Sequence, residues 1–88
     1  MKDIDITMYS TLWCGDCIRA KDWLDKHNIV YKEINIEENE KAMEYVRQIN
    51  NGYSSVPTIL FSDGSILVEP SNNVLEKKVK KLGLLLPN

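Results

Sequence analysis

Much of what an 88-residue chain can carry is missing from this one. It has one histidine, four glycines and two cysteines. Glycines so few and so scattered make no dinucleotide-binding fingerprint, so any electrons the protein handles have to come from outside. Its 11 basic and 13 acidic residues are interspersed, leave a net charge of −2 and form no basic stripe. Nucleic acid is therefore not an expected partner. No apolar run approaches the ~20 residues that span a bilayer, and no membrane partner is expected. Aspartates break up the opening "MKDIDITMYS", which does not have the apolar centre of a signal peptide. The three leucines of "LGLLLPN" are too few for an anchor and are expected to pack locally after a helix. The expected location is the cytoplasm, where structural disulfides are rare.

What is present suits one small soluble domain over residues 1–88, burying roughly 60–65% of its unfolded surface. Hydrophobic residues make up 43% and charged residues 27%. "IDITMY", residues 4–9, alternates and contains β-branched types, which predicts a strand. A helix follows over about residues 15–27, with Cys17, Ala20 and Leu24 on one face and Asn28 as a left-handed stop. Residues 30–36, "VYKEINI", alternate again. "EENEKAMEYVRQINNG" predicts a second helix with glutamates in its first turn and Ala42, Val46 and Ile49 inward. "SSVPTILF" and "ILVE" predict two more strands, joined by a turn centred on Asp63-Gly64. The last helix starts at Ser71 or Asn72 and turns Val74, Leu75, Val79 and Leu82 to the core. The order β-α-β-α-β-β-α implies an α/β protein, a four-stranded mixed sheet flanked by three helices.

The chemistry lies in "TLWCGDCIRAK", residues 11–21. Two cysteines three apart stand where a strand becomes a helix. Cys14 falls at the helix N-terminus, where unpaired N–H groups and the dipole favour a thiolate. Cys17 lies one turn inward, within disulfide reach. This predicts a redox-active pair, with attack by Cys14 and resolution by Cys17. A structural disulfide closing so small a loop adds little stability. A zinc site needs four ligands, and His27 lies roughly 15 Å away along the same helix. A metal cluster shared between two chains stays open. His27 is expected to be exposed and to help the helix dipole. Trp13 is a partly buried lid, a surface for an incoming sulfur, or both; Trp23 is expected to pack. Asp16 suits the first turn of the helix. A carboxylate roughly 7 Å from the Cys14 sulfur, at an effective dielectric of about 40, also disfavours the thiolate by about 1.2 kcal/mol.

"YSTLWCGDCIRAKDWL", "VYKEINIE" and "SSVPTILFSDGS" together resemble the glutaredoxin family, across nearly the whole chain. The N-terminal motif and "SVPTILFSDGSILVEPS" are most similar to its mycoredoxin and actinobacterial branch. The resemblance implies a thioredoxin-like fold and a thiol–disulfide oxidoreductase with no bound cofactor. It also implies a cis peptide bond at Val56-Pro57 facing Cys14, with the Val56 backbone offered to an extended thiol substrate. Trp13 is expected beside that substrate, and Ser71 and Asn72 supply a helix N-terminus suited to its carboxylate. The implied partners are disulfide-containing proteins and a low-molecular-weight thiol, glutathione or mycothiol, as electron donor to a monomer. The stretch Val68-Glu69-Pro70-Ser71-Asn72 departs from the Gly-Gly element of glutathione-using members, and the branch favours mycothiol. The alternatives are an electron carrier reduced by thioredoxin reductase and a dimer bridged by an iron–sulfur cluster through Cys14 and external thiols.

Overall fold

The structure, a computed structural model, describes residues 5–84. Its elements are β1 (Ile6–Ser10), α1 (Gly15–Lys26), β2 (Lys32–Asn35), α2 (Glu40–Ile49), β3 (Thr58–Phe61), β4 (Ile66–Val68) and α3 (Asn72–Lys81). The strands form one sheet in the order β2-β1-β3-β4. β1 runs parallel to β2, with Tyr9 opposite Ile34, and antiparallel to β3, with Met8 opposite Ile59. β4 returns antiparallel to β3. This is the mixed sheet with three helices that the order of elements predicts.

The pleat sends alternate side chains of a strand to opposite faces. Ile6 and Met8 of β1 join Ile59 and Phe61 of β3 on one face, under Ala20 and Leu24 of α1 and Leu75 and Val79 of α3. Tyr9 leans the other way, toward a smaller core of Ile36, Ala42 and Val46 beneath α2. Burying side chains of this size contributes roughly 1.5–3 kcal/mol each. The larger cluster therefore holds α1, and with it both cysteines, against the sheet.

Several boundaries differ from the sequence expectation for identifiable reasons. Ser10 is buried in β1 rather than looped out, because its hydroxyl donates to Glu33 Oε2 at 2.7 Å. Ile4, placed in the same strand, lies outside the described residues, as does the tail from Leu85 onward. β2 is shorter than residues 30–36. It is an edge strand whose first residues, Lys32 and Glu33, are exposed, and Val30 before it is exposed as well. Only Glu40 of the glutamates lies in the first turn of α2; Glu37 and Glu38 precede the Asn39 cap, whose side chain accepts from the Ala42 N–H. Val74 is 45% exposed and does not join the core.

The stops are as expected. Asn28 has φ 57°, with Ile29 N–H donating to Leu24 O and Asn28 N–H to Asp25 O. That pair of bonds closes the helix end around a left-handed residue. Among the described residues no helix is long and apolar enough to cross a membrane.

Candidate active site

Cys14 is the N-cap of α1. Its φ and ψ, −85° and 112°, are extended, so the chain arrives from β1 and turns into the helix at this residue. The carbonyl oxygen of Cys14 accepts the first helical bond from Ile18 N–H at 3.1 Å. Its sulfur accepts from Cys17 N–H at 3.1 Å. That amide is one of the donors a helix start leaves without a backbone partner. A serine or aspartate oxygen usually takes this place; here it is a sulfur atom that can become an anion. The positive end of an N–H dipole thus points at the nucleophile.

On its other side the Cys14 thiol donates to the carbonyl oxygen of Val56, with sulfur and oxygen 3.6 Å apart. Val56 precedes Pro57 across a cis peptide bond, as the family resemblance implies. The Pro57 carbonyl accepts from Glu69 N–H at 2.8 Å, which ties this loop to the end of β4. Val56 and Cys14 therefore meet although 42 residues separate them.

The two thiols differ sharply. Both are free. Cys14 is partly exposed, whereas Cys17 is 0% exposed. Burial, and then its neighbour Cys14, push the Cys17 thiol up to about 12, against a smaller pull from the Thr11 backbone and the charge on Lys21. Loss of water disfavours the charged form of any buried acid. One cysteine can thus meet a partner in solution, and the other has to wait for a sulfur presented beside it.

Asp16 is exposed and pairs with Arg19, Nη2 to Oδ1, at 3.2 Å. The sequence reading missed Arg19. Its guanidinium also donates to Asn72 Oδ1 at 2.8 Å and to Pro70 O at 3.1 Å. It spans from the first turn of α1 to the first turn of α3. The Asp16–Arg19 spacing of three is legible on a helix; the reach to Asn72, 53 residues on, is not. The negative charge expected to oppose the Cys14 thiolate therefore has a cation beside it.

Ser71 is the N-cap of α3, and its hydroxyl oxygen accepts from Val74 N–H at 3.2 Å. The side-chain oxygens of Ser71 and Asn72 are both engaged within the protein. Between them and β4, Glu69 has φ 49°, a left-handed backbone that favours glycine. The resemblance places the Gly-Gly element of glutathione-using members in this stretch, and here a glutamate adopts the conformation.

Trp13 is 78% exposed, so it is no partly buried lid; with Leu12 it stands out beside Cys14. Trp23 packs on the larger core and lies against His27, ring centroids 4.3 Å apart with the planes tilted by 43°. A second network missed in the sequence lies behind the cysteines. Lys21 pairs with Glu33 at 2.8 Å, and Ser10 donates to the same carboxylate oxygen. Burial pushes the Glu33 carboxyl up, but bonds from Lys21 and Ser10 outweigh it and hold it below its ordinary value. Among the described residues no three His, Cys, Asp or Glu side chains gather into a set that could hold a metal ion.

Comparison with known proteins bears out the resemblance. A family model described as Glutaredoxin matches residues 6–66. A Mycobacterium tuberculosis protein assigned to the glutaredoxins is 43% identical over 77 residues, covering 88% of this chain and 92% of that one. Mycoredoxin 1 of Corynebacterium glutamicum is 32% identical over 78 residues, covering 89% and 96%. Among solved structures, the glutaredoxin from Archaeoglobus fulgidus superposes with a TM-score of 0.73 at 24% identity, covering 88% of this chain and 87% of that one, which shows a shared fold.

Proposed function

The chain belongs to the glutaredoxin family, whose members act as thiol–disulfide oxidoreductases, and from that premise we propose that it is a dithiol enzyme working through Cys14 and Cys17. The Cys14 thiolate attacks one sulfur of a disulfide. A Cys14–substrate disulfide forms, and the other sulfur leaves as a thiolate that takes up a proton. Cys17 then gives up its proton and attacks the Cys14 sulfur. The internal disulfide closes and the substrate departs as a thiol. Alternatively a small thiol attacks the mixed disulfide and frees Cys14 directly. Two electrons from outside reopen the internal disulfide.

The observation that carries this reading is the asymmetry of the pair. Cys14 is reachable and holds a helix amide, while Cys17 is buried with its backbone N–H on the Cys14 sulfur. Val56 and Pro57, across from that sulfur, are proposed to line the path of an extended thiol partner. Trp13 is proposed as the exposed apolar surface beside it. Ser71, already used as a cap, is assigned to holding α3. Asn72, whose side-chain oxygen already accepts from Arg19, offers its amide NH2 to a partner.

The proposed donor is a low-molecular-weight thiol, and similarity to mycoredoxin favours mycothiol over glutathione. The proposed setting is a monomer in the cytoplasm acting on disulfide-containing proteins. The commitment of Ser71 and Asn72 within the fold supports a second reading, in which a thioredoxin reductase is the donor and no small-thiol pocket is needed. Reduction of a mixed disulfide by the purified protein, with glutathione, mycothiol, or thioredoxin reductase plus NADPH supplied in parallel, decides between them. Turnover with mycothiol alone is expected. Turnover with the reductase alone overturns the small-thiol donor, and no turnover with any of them overturns the enzyme reading.

A further inference from the structure

The Val56 carbonyl faces the Cys14 sulfur only if the loop before β3 keeps its shape. The hydroxyl of Thr58, the first residue of β3, donates to Ser55 O at 2.7 Å. The same hydroxyl accepts from Asn50 Nδ2 at 3.2 Å, and that nitrogen also donates to Val46 O at 2.9 Å. Thr58 is fully buried, and Asn50 is the C-cap of α2. The hydroxyl therefore closes a ring around Val56 and Pro57, from the carbonyl before them to the side chain after them. Proline has no N–H to offer, so the backbone of Pro57 cannot brace the loop by donating. The Val56 side chain meanwhile rests on the smaller core beneath α2. Two helices thus bear on one contact, with α1 presenting the sulfur and α2, through Asn50 and Thr58, fixing the carbonyl opposite.

We propose that Thr58, braced by Asn50, is a positioning residue for disulfide exchange: its hydroxyl keeps the Val56 backbone in register with Cys14 for substrates that lie along it. Neither residue touches the reacting atoms. The inference rests on the oxidoreductase reading above and specifies which substrates feel the loop. A disulfide within an extended peptide has a backbone to pair with Val56. A small disulfide such as that of hydroxyethanethiol has none, and needs only the sulfur of Cys14.

The test compares those two substrates in the wild type, Thr58→Val, Thr58→Ser and Asn50→Ala. Valine keeps the shape of threonine and removes the hydroxyl; serine restores the hydroxyl. Thr58→Val is expected to raise KM for the peptide disulfide about five- to tenfold, with kcat within about twofold and the small disulfide little affected. Thr58→Ser returns KM toward the wild-type value. Asn50→Ala, which leaves the buried site filled, gives a smaller shift of the same kind and serves if Thr58→Val does not fold. An unchanged peptide KM in Thr58→Val, or in Asn50→Ala where the former is unfolded, overturns the proposal. So does an equal loss on both substrates, which marks a merely structural hydroxyl. A wild-type protein that reduces neither substrate overturns the parent reading, and the positioning role falls with it.

Discussion

Two helices of this protein begin in the same way and do different things. At α1 the Cys14 sulfur accepts from the N–H three residues on, at 3.1 Å. At α3 the Ser71 oxygen does so at 3.2 Å. Arg19 reaches from one start to the other. Capping geometry and dipole are therefore shared, and neither distinguishes a reactive site from a structural one. The difference lies in the capping atom and in what faces it. A serine hydroxyl stays protonated and satisfies the helix. A cysteine can lose its proton, and Cys14 has the Val56 loop across from it and a second thiol behind it.

The sharpest way to break that comparison is to make the first cap like the second. Cys14→Ser keeps a good N-cap, so melting should move by no more than about 1 kcal/mol. Disulfide reduction should fall about a thousandfold or more, because the nucleophile is gone. A variant that melts normally and retains activity would show that the cap carries no chemistry.

Cys17→Ser separates the two thiols. Protein disulfides should be reduced roughly ten- to a hundredfold more slowly, while turnover of small mixed disulfides with a thiol donor persists. With its thiol pushed up to about 12, Cys17 is almost wholly protonated at neutral pH. Burial persists in the mixed disulfide, so the resolving step in the wild type should quicken steadily as pH rises above neutral, as a stopped-flow series would show. A step already flat at neutral pH contradicts the burial argument.

Ser71→Ala is the counterpart at α3. It should cost about 1 kcal/mol in a denaturant melt and leave kcat/KM within about twofold. The smallest effect belongs to Asp16→Asn. With Arg19 beside that carboxylate and both side chains about a third or more exposed, alkylation of Cys14 at neutral pH should change by less than about threefold. A large change would mean that Arg19 does not offset the charge.

The legible parts of the molecule are those set by local periodicity. β1 alternates Ile6 and Met8 inward, and α1 repeats Cys17, Ala20 and Leu24 at helical spacing. The cysteine pair was legible because a strand, a turn and a helix follow one another within about twenty residues. β2 blurred because an edge strand with exposed Lys32 and Glu33 has less burial to enforce alternation. Of the two readings of Trp13 only the partly buried lid fails, because this aromatic stands out of the turn before the cap. Arg19 to Asn72 and Cys14 to Val56 were out of reach for a different reason. They join residues 53 and 42 apart, and only the folded sheet brings them together. Thr58 read as an ordinary strand residue for the same reason, since Asn50 reaches it from another element.

The central claim is that Cys14 attacks and Cys17 resolves. It is tested most directly by mixing each single-cysteine variant with a disulfide substrate and locating the trapped adduct by peptide mass spectrometry. The account predicts an adduct on Cys14 in Cys17→Ser, and almost none on Cys17 in Cys14→Ser over the same time. Adducts of equal yield on both cysteines, or one on Cys17 alone, would contradict it.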